Sequence, residues 1–280
     1  MTKILRCADN TLDLSRPVVM GVLNVTPDSF SDGGRFLNVE SAVAHGLRLV
    51  EEGAAIIDVG GESTRPGAAP VPSDEEIRRV VPVVQGIHQA VPRVIISVDT
   101  SKPEVIREVV AAGAGLLNDV RAFQEPGALE AAAASGCGVC LMHMQGDPRT
   151  MQRAPSYVDV VKEVKAFLAD RAQACRAAGV APQRIAIDPG FGFGKTLEHN
   201  LELLRRLHEL ASGEWPVLVG LSRKSIVGTL TGRAAGERVH GSVALAVIAA
   251  MSGARIIRAH DVAATVDALK VVAAVAVEES

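Results

Sequence analysis

The sequence predicts an α/β protein, a (β/α)8 TIM barrel with a short N-terminal hairpin, on three observations. Eight short apolar, β-branched runs alternate with eight helix-like stretches over about 250 residues. The runs are almost continuously apolar, as strands covered on both faces are, and this argues for a parallel sheet. Each run ends in polar residues at its C-terminal end, the face on which barrel enzymes build their sites.

Residues 4–15 (ILRCADNTLDLS) carry a turn signal at Asp9-Asn10 and read as a small hairpin closing the barrel's N-terminal end. The strands follow as VVMGVLN (18–24), AIIDVG (55–60), VIISVD (94–99), GLLNDV (115–120), GVCLMHM (138–144), RIAIDPG (184–190), VLVGLS (217–222) and RIIRAH (255–260). Helix-like stretches lie between and after them, over 39–53, 73–90, 102–113, 125–136, 157–179, 197–210, 237–253 and 261–276. Several close on a glycine (Gly53, Gly113, Gly136, Gly179, Gly253), as helix C-termini do. Ser73 and Glu76 have the spacing of a capping box. No linker interrupts the pattern, so one domain over 1–280 is expected, with long loops at 60–73 and 144–156.

The chain has 280 residues, 48% hydrophobic and 22% charged, with a formal charge of −3 and a pI near 6.2. That balance gives neither a nucleic-acid surface nor a polybasic membrane anchor. The first nine residues include Lys3, Arg6 and Asp9, unlike a signal peptide, and no apolar run reaches bilayer-spanning length, so a cytoplasmic protein is expected. Cys137 and Cys140 form a C-x-x-C on a buried strand. Residues three apart on a strand face opposite ways, so structural cysteines and no disulfide are expected.

The polar strand ends decide the function. Asn24, Asp99, Asn118, Asp119, His143 and Asp188 end five strands; Thr64 and Arg65 follow the second. Ser222, Arg223, Lys224 and Ser225 follow the seventh, and Arg258 and His260 end the eighth. Desolvated polar groups are costly unless something satisfies them, so this alignment implies a ligand. Asp99, Asn118 and Asp188 suit a ligand rich in N–H donors, such as an aminopyrimidine edge. Arg65, Lys224, Arg258 and His260 suit a phosphate or carboxylate. Asn24 and Asp28 offer oxygen ligands for hydrated Mg²⁺. Blander roles compete at four positions. Asp119 reads better as a cap or a partner of Arg121, and Asp261 as the cap of the last helix. Asp58 lies mid-strand, with either layer open to it and a structural role expected. His143 is balanced between a satisfied barrel histidine and a ligand.

DPGFGFGKT (188–196) is a near miss to phosphate-binding loops. A P-loop needs Gly where Pro189 stands, and the dinucleotide pattern needs Gly where Lys195 stands. The stretch therefore reads as a strand end and turn.

LNVTPDSFSDGG (23–34), DVGGESTRPGA (58–68), SVDTSKP (97–103), NDV (118–120), LMHMQG (141–146), DPGFGFGK (188–195), GLSRKS (220–225) and RAHD (258–261) resemble the dihydropteroate synthases, a pterin-binding barrel family of folate biosynthesis. The resemblance covers roughly residues 3–275; its one departure is Ala259 in RAH, where the family more usually has valine. It implies condensation of (7,8-dihydropterin-6-yl)methyl diphosphate with 4-aminobenzoate by an SN1-like path, with Mg²⁺ and competition by sulfonamides. By the same resemblance Asp99, Asn118, Asp188 and Lys224 hold the pterin, and Thr64, Arg258 and His260 the diphosphate, with Asn24 as its metal ligand. Phe30, Thr64, Arg65, Pro66, Phe193, Ser222 and Lys224 line the aminobenzoate site. Asp99, Lys224, Arg258 and His260 are the catalytic set, a homodimer is implied, and loops 24–38 and 60–73 would close over the substrates. A methyltetrahydrofolate:corrinoid methyltransferase would share the pterin groups without a diphosphate site. An inactive pterin-binding paralogue would have lost a loop residue or the lysine, and this chain keeps them. Lys195 is the residue least expected to touch substrate; Lys224 is the lysine that matters.

Overall fold

The computed structural model describes residues 3–26, 35–63, 67–147 and 150–275. A hairpin of β1 (Ile4–Cys7) and β2 (Asn10–Asp13) precedes eight strands: β3 (Val18–Asn24), β4 (Ile56–Gly60), β5 (Ile95–Asp99), β6 (Leu116–Asp119), β7 (Gly138–Met142), β8 (Ile185–Asp188), β9 (Leu218–Gly220) and β10 (Ile256–Ala259). The sheet order is β8-β7-β6-β5-β4-β3-β10-β9, all parallel. The remaining seam closes where Ile187 bridges Val217. The eight strands thus form the expected barrel.

Helices cover its outside: α1 (Arg35–Glu51), α2 (Ser73–Ala90), α3 (Pro103–Ala111), α4 (Ala128–Ala134), α5 (Val160–Ala177), α6 (Leu197–Arg205), α7 (His208–Ala211), α8 (Ser225–Thr231), α9 (Val239–Met251) and α10 (Val262–Val275). The sequence reading needs four corrections here. The single helix expected over 197–210 is two, α6 and α7, and α8 was not foreseen. The hairpin turn sits one residue earlier, at Ala8-Asp9, because Cys7 pairs with Asn10 and Ala8 takes a left-handed φ of 52°. No capping box forms at α2. Pro72 is its N-cap without a side-chain bond, Ser73 donates to Glu104 instead, and Glu76 is buried against Lys102.

Strand periodicity sorts the side chains. Met20, Ile56, Ile95, Leu116, Cys140, Ala186, Leu218 and Ile256 point inward and form the barrel floor. Their neighbours Val19, Ile57, Ile96, Leu117, Val139, Ile185, Val219 and Ile257 point outward into the helix-facing core. Cys137 lies in the outer cluster and Cys140 in the inner one, so the C-x-x-C straddles the strand, and all four cysteines are buried free thiols. Leu5, Cys7, Leu12 and Leu14 of the hairpin plug the floor from below. Two residues above the floor, the same inward face carries the polar groups.

Leu5 is fully buried in that plug. Leu5→Ala is expected to cost about 3 kcal/mol, lost transfer energy plus a cavity the stiff barrel end cannot collapse. Equilibrium unfolding in denaturant reads this, and a loss below about 1 kcal/mol would mean that the hairpin is not part of the core.

Candidate active site

The barrel's C-terminal mouth is built by register. Asn24, Gly60, Asp99 and Asn118 are successive partners across β3, β4, β5 and β6. Asp188 ends β8 opposite Met142, and Arg258 on β10 is the partner of Gly220 on β9. Each lies an even number of residues after an inward-facing floor residue, so all point to the barrel axis.

Asp58 is the buried centre of this layer. Its Oδ2 accepts from Arg258 Nε at 2.6 Å and from Asn118 Nδ2 at 3.4 Å, and its Oδ1 accepts from Ser97 Oγ at 2.7 Å. The second arm of Arg258 reaches Asp99, with Nη2 3.6 Å from Oδ2. Burial alone would lower the Arg258 guanidinium, but Asp58 and Asp99 more than reverse this and hold it raised. Burial, then the Asp58 charge, pushes the Asp99 carboxyl well above the carboxylate range. The sequence reading left both layers open for Asp58. Its two-residue spacing from the floor residue Ile56 was the available signal, and it places Asp58 inside.

Across the mouth, Asp188 Oδ1 accepts from the Gly190 N–H at 2.7 Å, and burial raises this carboxyl against the opposing charge of Lys224. Lys224 is the N-cap residue of α8. Its Nζ donates to the Phe191 carbonyl at 2.6 Å and lies 4.7 Å from the centroid of the Phe193 ring. Burial pulls Lys224 down to about 8, with Asp188 pulling the other way. Ser222 Oγ accepts from the His260 backbone N–H at 3.2 Å and meets its Nδ1 at 3.1 Å. Burial, then the Arg258 charge, pushes His260 down to about 4. At neutral pH this imidazole is therefore uncharged, which corrects its reading as part of the cationic side.

The neighbours of this mouth are structural. Arg223, in a left-handed φ of 58°, binds the Asp261 carboxylate with Nε 3.0 Å from Oδ2. Asp261 is thus an ion-pair partner and not the side-chain cap expected. Asp119 caps the turn after β6, taking the N–H groups of Arg121 at 2.8 Å and Phe123 at 2.6 Å; the Arg121 guanidinium pairs elsewhere, with Glu125 and Asp147. His143 is a satisfied barrel histidine: it is buried, 3.0 Å from Lys195 Nζ, and edge-on to Phe167 at 5.0 Å. Burial and then the Lys195 charge push it down to about 3. The structure therefore gathers Asn24, Asp99, Asn118, Asp188, Phe193, Ser222, Lys224, Arg258 and His260 around one opening. Asp28, Phe30, Thr64, Arg65 and Pro66 lie outside the described residues.

A closed parallel barrel whose mouth interleaves carboxylates and an amide (Asp99, Asn118, Asp188) with cations (Lys224, Arg258) defines a pterin-binding barrel enzyme. A family model described as pterin binding enzyme matches residues 20–260. The dihydropteroate synthase of Escherichia coli strain K12 is 58% identical, over 94% of this chain and 93% of its own length. A crystal structure of the Yersinia pestis dihydropteroate synthase with a sulfonamide drug complex superposes with a TM-score of 0.92 at 56% identity, covering 97% of this chain and 98% of that one. That of Xanthomonas albilineans dihydropteroate synthase with 4-aminobenzoic acid superposes with a TM-score of 0.93 at 54% identity, covering 99% of each. The chain belongs to the dihydropteroate synthase family.

Asp58→Asn removes the charge that Arg258 is buried against. It is expected to destabilise the fold by about 3–5 kcal/mol, because an uncompensated guanidinium is left behind. Chemical denaturation measures it, and a change under about 1 kcal/mol would show that Asp99 alone suffices.

Proposed function

We propose that the protein condenses (7,8-dihydropterin-6-yl)methyl diphosphate with 4-aminobenzoate, giving 7,8-dihydropteroate and diphosphate for tetrahydrofolate synthesis. One observation carries this reading: the acceptors Asp99, Asn118 and Asp188 and the donors Lys224 and Arg258, Asn118 and Asp188 buried and the other three part-buried, are gathered around a single opening. The Asp188 carboxylate pairs with the 2-amino and N3–H edge of the pterin. Asn118 adds an amide beside it, and Lys224 donates to the ring's carbonyl side.

The C9–O bond breaks with its electron pair passing to the diphosphate oxygen. Arg258 receives that charge, with a hydrogen bond from the neutral His260. Positive charge grows on the pterin methylene, spreads into the electron-rich dihydropterin, and is met by Asp99, whose carboxylate form is favoured by Arg258 beside it and by the growing charge itself. The aniline nitrogen then forms the C9–N bond with its lone pair and releases a proton to water; it is a sufficient nucleophile without a strong base. Phe193 walls the aminobenzoate, and Ser222 meets its carboxylate.

A magnesium ion fits the donors available. Asn24 presents its amide oxygen at the mouth, 3.6 Å from where a Cβ on Gly60 would stand. Mg²⁺ keeps most of its water and takes its remaining ligands from one or two protein oxygens and phosphate. Among the described residues no three His, Cys, Asp or Glu gather as a metal site, so Asn24 would hold the ion together with substrate oxygens. Bound there, it would neutralise charge on the departing diphosphate.

Incubation with both substrates and Mg²⁺ is expected to release diphosphate and form dihydropteroate, and omission of either substrate to abolish release. No release with all three present would overturn the reading.

We further propose a cytoplasmic homodimer. No helix among the described residues is long and apolar enough to cross a membrane. The packed helices α9 and α10 expose Ile248 (47%), Met251 (72%), Val271 (63%) and Val275 (76%), apolar area that a second copy would cover. Sedimentation is expected to give twice the 29.3 kDa chain mass, and Met251→Asp with Val271→Asp to give single chains. A wild-type monomer would contradict the dimer.

A further inference from the structure

Lys195 is a buried lysine that the proposed chemistry does not use. It is 3% exposed, and no carboxylate lies within salt-bridge distance among the described residues. Its ammonium has three N–H groups and finds three acceptors at 3.0 Å: His143 Nδ1, the Gly190 carbonyl and the Phe193 carbonyl. Burying such a charge is costly, so the contacts that retain it identify what it does. Burial lowers Lys195 to about 7, with Asp188 opposing.

Those contacts fold one turn. Gly190, Gly192 and Gly194 all have left-handed backbones, with φ of 69°, 81° and 60°. A Cβ on Gly190 would stand 1.9 Å from the His143 carbonyl oxygen, so the turn is pressed onto the end of β7. Every carbonyl from Gly190 to Gly194 accepts from a side chain. Lys195 takes Gly190 and Phe193, Lys224 takes Phe191, Gln152 takes Gly192, and Tyr157 takes Gly194 at 2.7 Å. The turn therefore has two lysines on its carbonyls, Lys195 on those of Gly190 and Phe193 and Lys224 on that of Phe191 between them. One is sealed inside and the other stands at the mouth, anchored by the Phe191 carbonyl at 2.6 Å and the Phe193 ring at 4.7 Å.

We propose that Lys195 is a positioning residue for Lys224: by drawing the Gly190 and Phe193 carbonyls inward it turns the Phe191 carbonyl and the Phe193 ring toward Lys224 and fixes that ammonium over the pterin. The inference rests on the proposed role of Lys224 at the reacting centre. A residue that acts only on fold stability would slow the enzyme independently of Lys224. One that acts through Lys224 loses its effect once Lys224 is gone.

The test is a double-mutant cycle on single-turnover rates with both substrates and Mg²⁺, using Lys195→Met, Lys224→Ala and the pair. Lys195→Met alone is expected to slow turnover roughly 10- to 100-fold, the scale of an ångström-level misplacement. The pair is expected to match Lys224→Ala within about threefold. Lys224→Ala within a few-fold of wild type would overturn the catalytic reading and this inference with it. A severe Lys224→Ala defect beside a near-wild-type Lys195→Met, or single effects that multiply in the pair, would overturn the inference alone. If Lys195→Met does not fold, Tyr157→Phe replaces it in the cycle. It removes one anchor of the same turn without burying or losing a charge. A severalfold loss absent in the Lys224→Ala background supports the inference; no loss, or a loss that persists there, overturns it.

Discussion

Asp58, fully buried on β4, accepts hydrogen bonds from Ser97 on β5, Asn118 on β6 and Arg258 on β10. Two of those strands are not its neighbours in the sheet, so one carboxylate ties together half the barrel mouth. Taking a carboxylate and a guanidinium out of water is repaid only when the remaining lone pairs and N–H groups are also used. Here both Asp58 oxygens are occupied and Arg258 extends to Asp99. The result is a rigid acidic side, with the Asn118 amide turned by the same carboxylate. Whatever ligand enters meets groups already oriented, which is the condition for electrostatic catalysis.

The opposite side is set by backbone. Asp188 is held by the N–H of Gly190, and the turn that follows places the Phe191 carbonyl and the Phe193 ring against Lys224. Burial raises Asp99 and Asp188 and lowers Lys224, so the mouth carries poorly solvated charges of both signs. A ligand with an N–H-rich edge and a dianionic tail satisfies both. The same electrostatics explain why a neutral His260 suits the tail end: beside Arg258 it contributes a hydrogen bond without a second buried cation.

Much of this was legible in the residues. The eight strands showed because parallel barrel strands are apolar on both faces, and their polar ends stood out against that background. Signals failed where a tertiary partner outbid a local one. Ser73 and Glu76 have capping-box spacing, but Lys102 draws Glu76 inward. Asp261 stands where a cap belongs, yet Arg223 takes its carboxylate and is held in a left-handed backbone conformation. The helix at 225–231, SIVGTLT, was hidden by its β-branched residues and glycine, which weaken helical signal. The sequence leaves Asp58 open between layers, and its partners on other strands reveal it as the hub. The DPGFGFGKT stretch reads as a strand end and turn; that its lysine holds the turn from inside is visible only in three dimensions.

The central claim is that this mouth binds a pterin on Asp188, Asn118 and Lys224 and the leaving group beside Arg258 and His260. A crystal structure with bound 7,8-dihydropteroate tests it most directly. The account predicts the pterin's amino edge on the Asp188 carboxylate at about 3 Å, Asn118 beside the ring and Lys224 along its carbonyl side. A pterin ring seated away from Asp188 and Asn118 would contradict it.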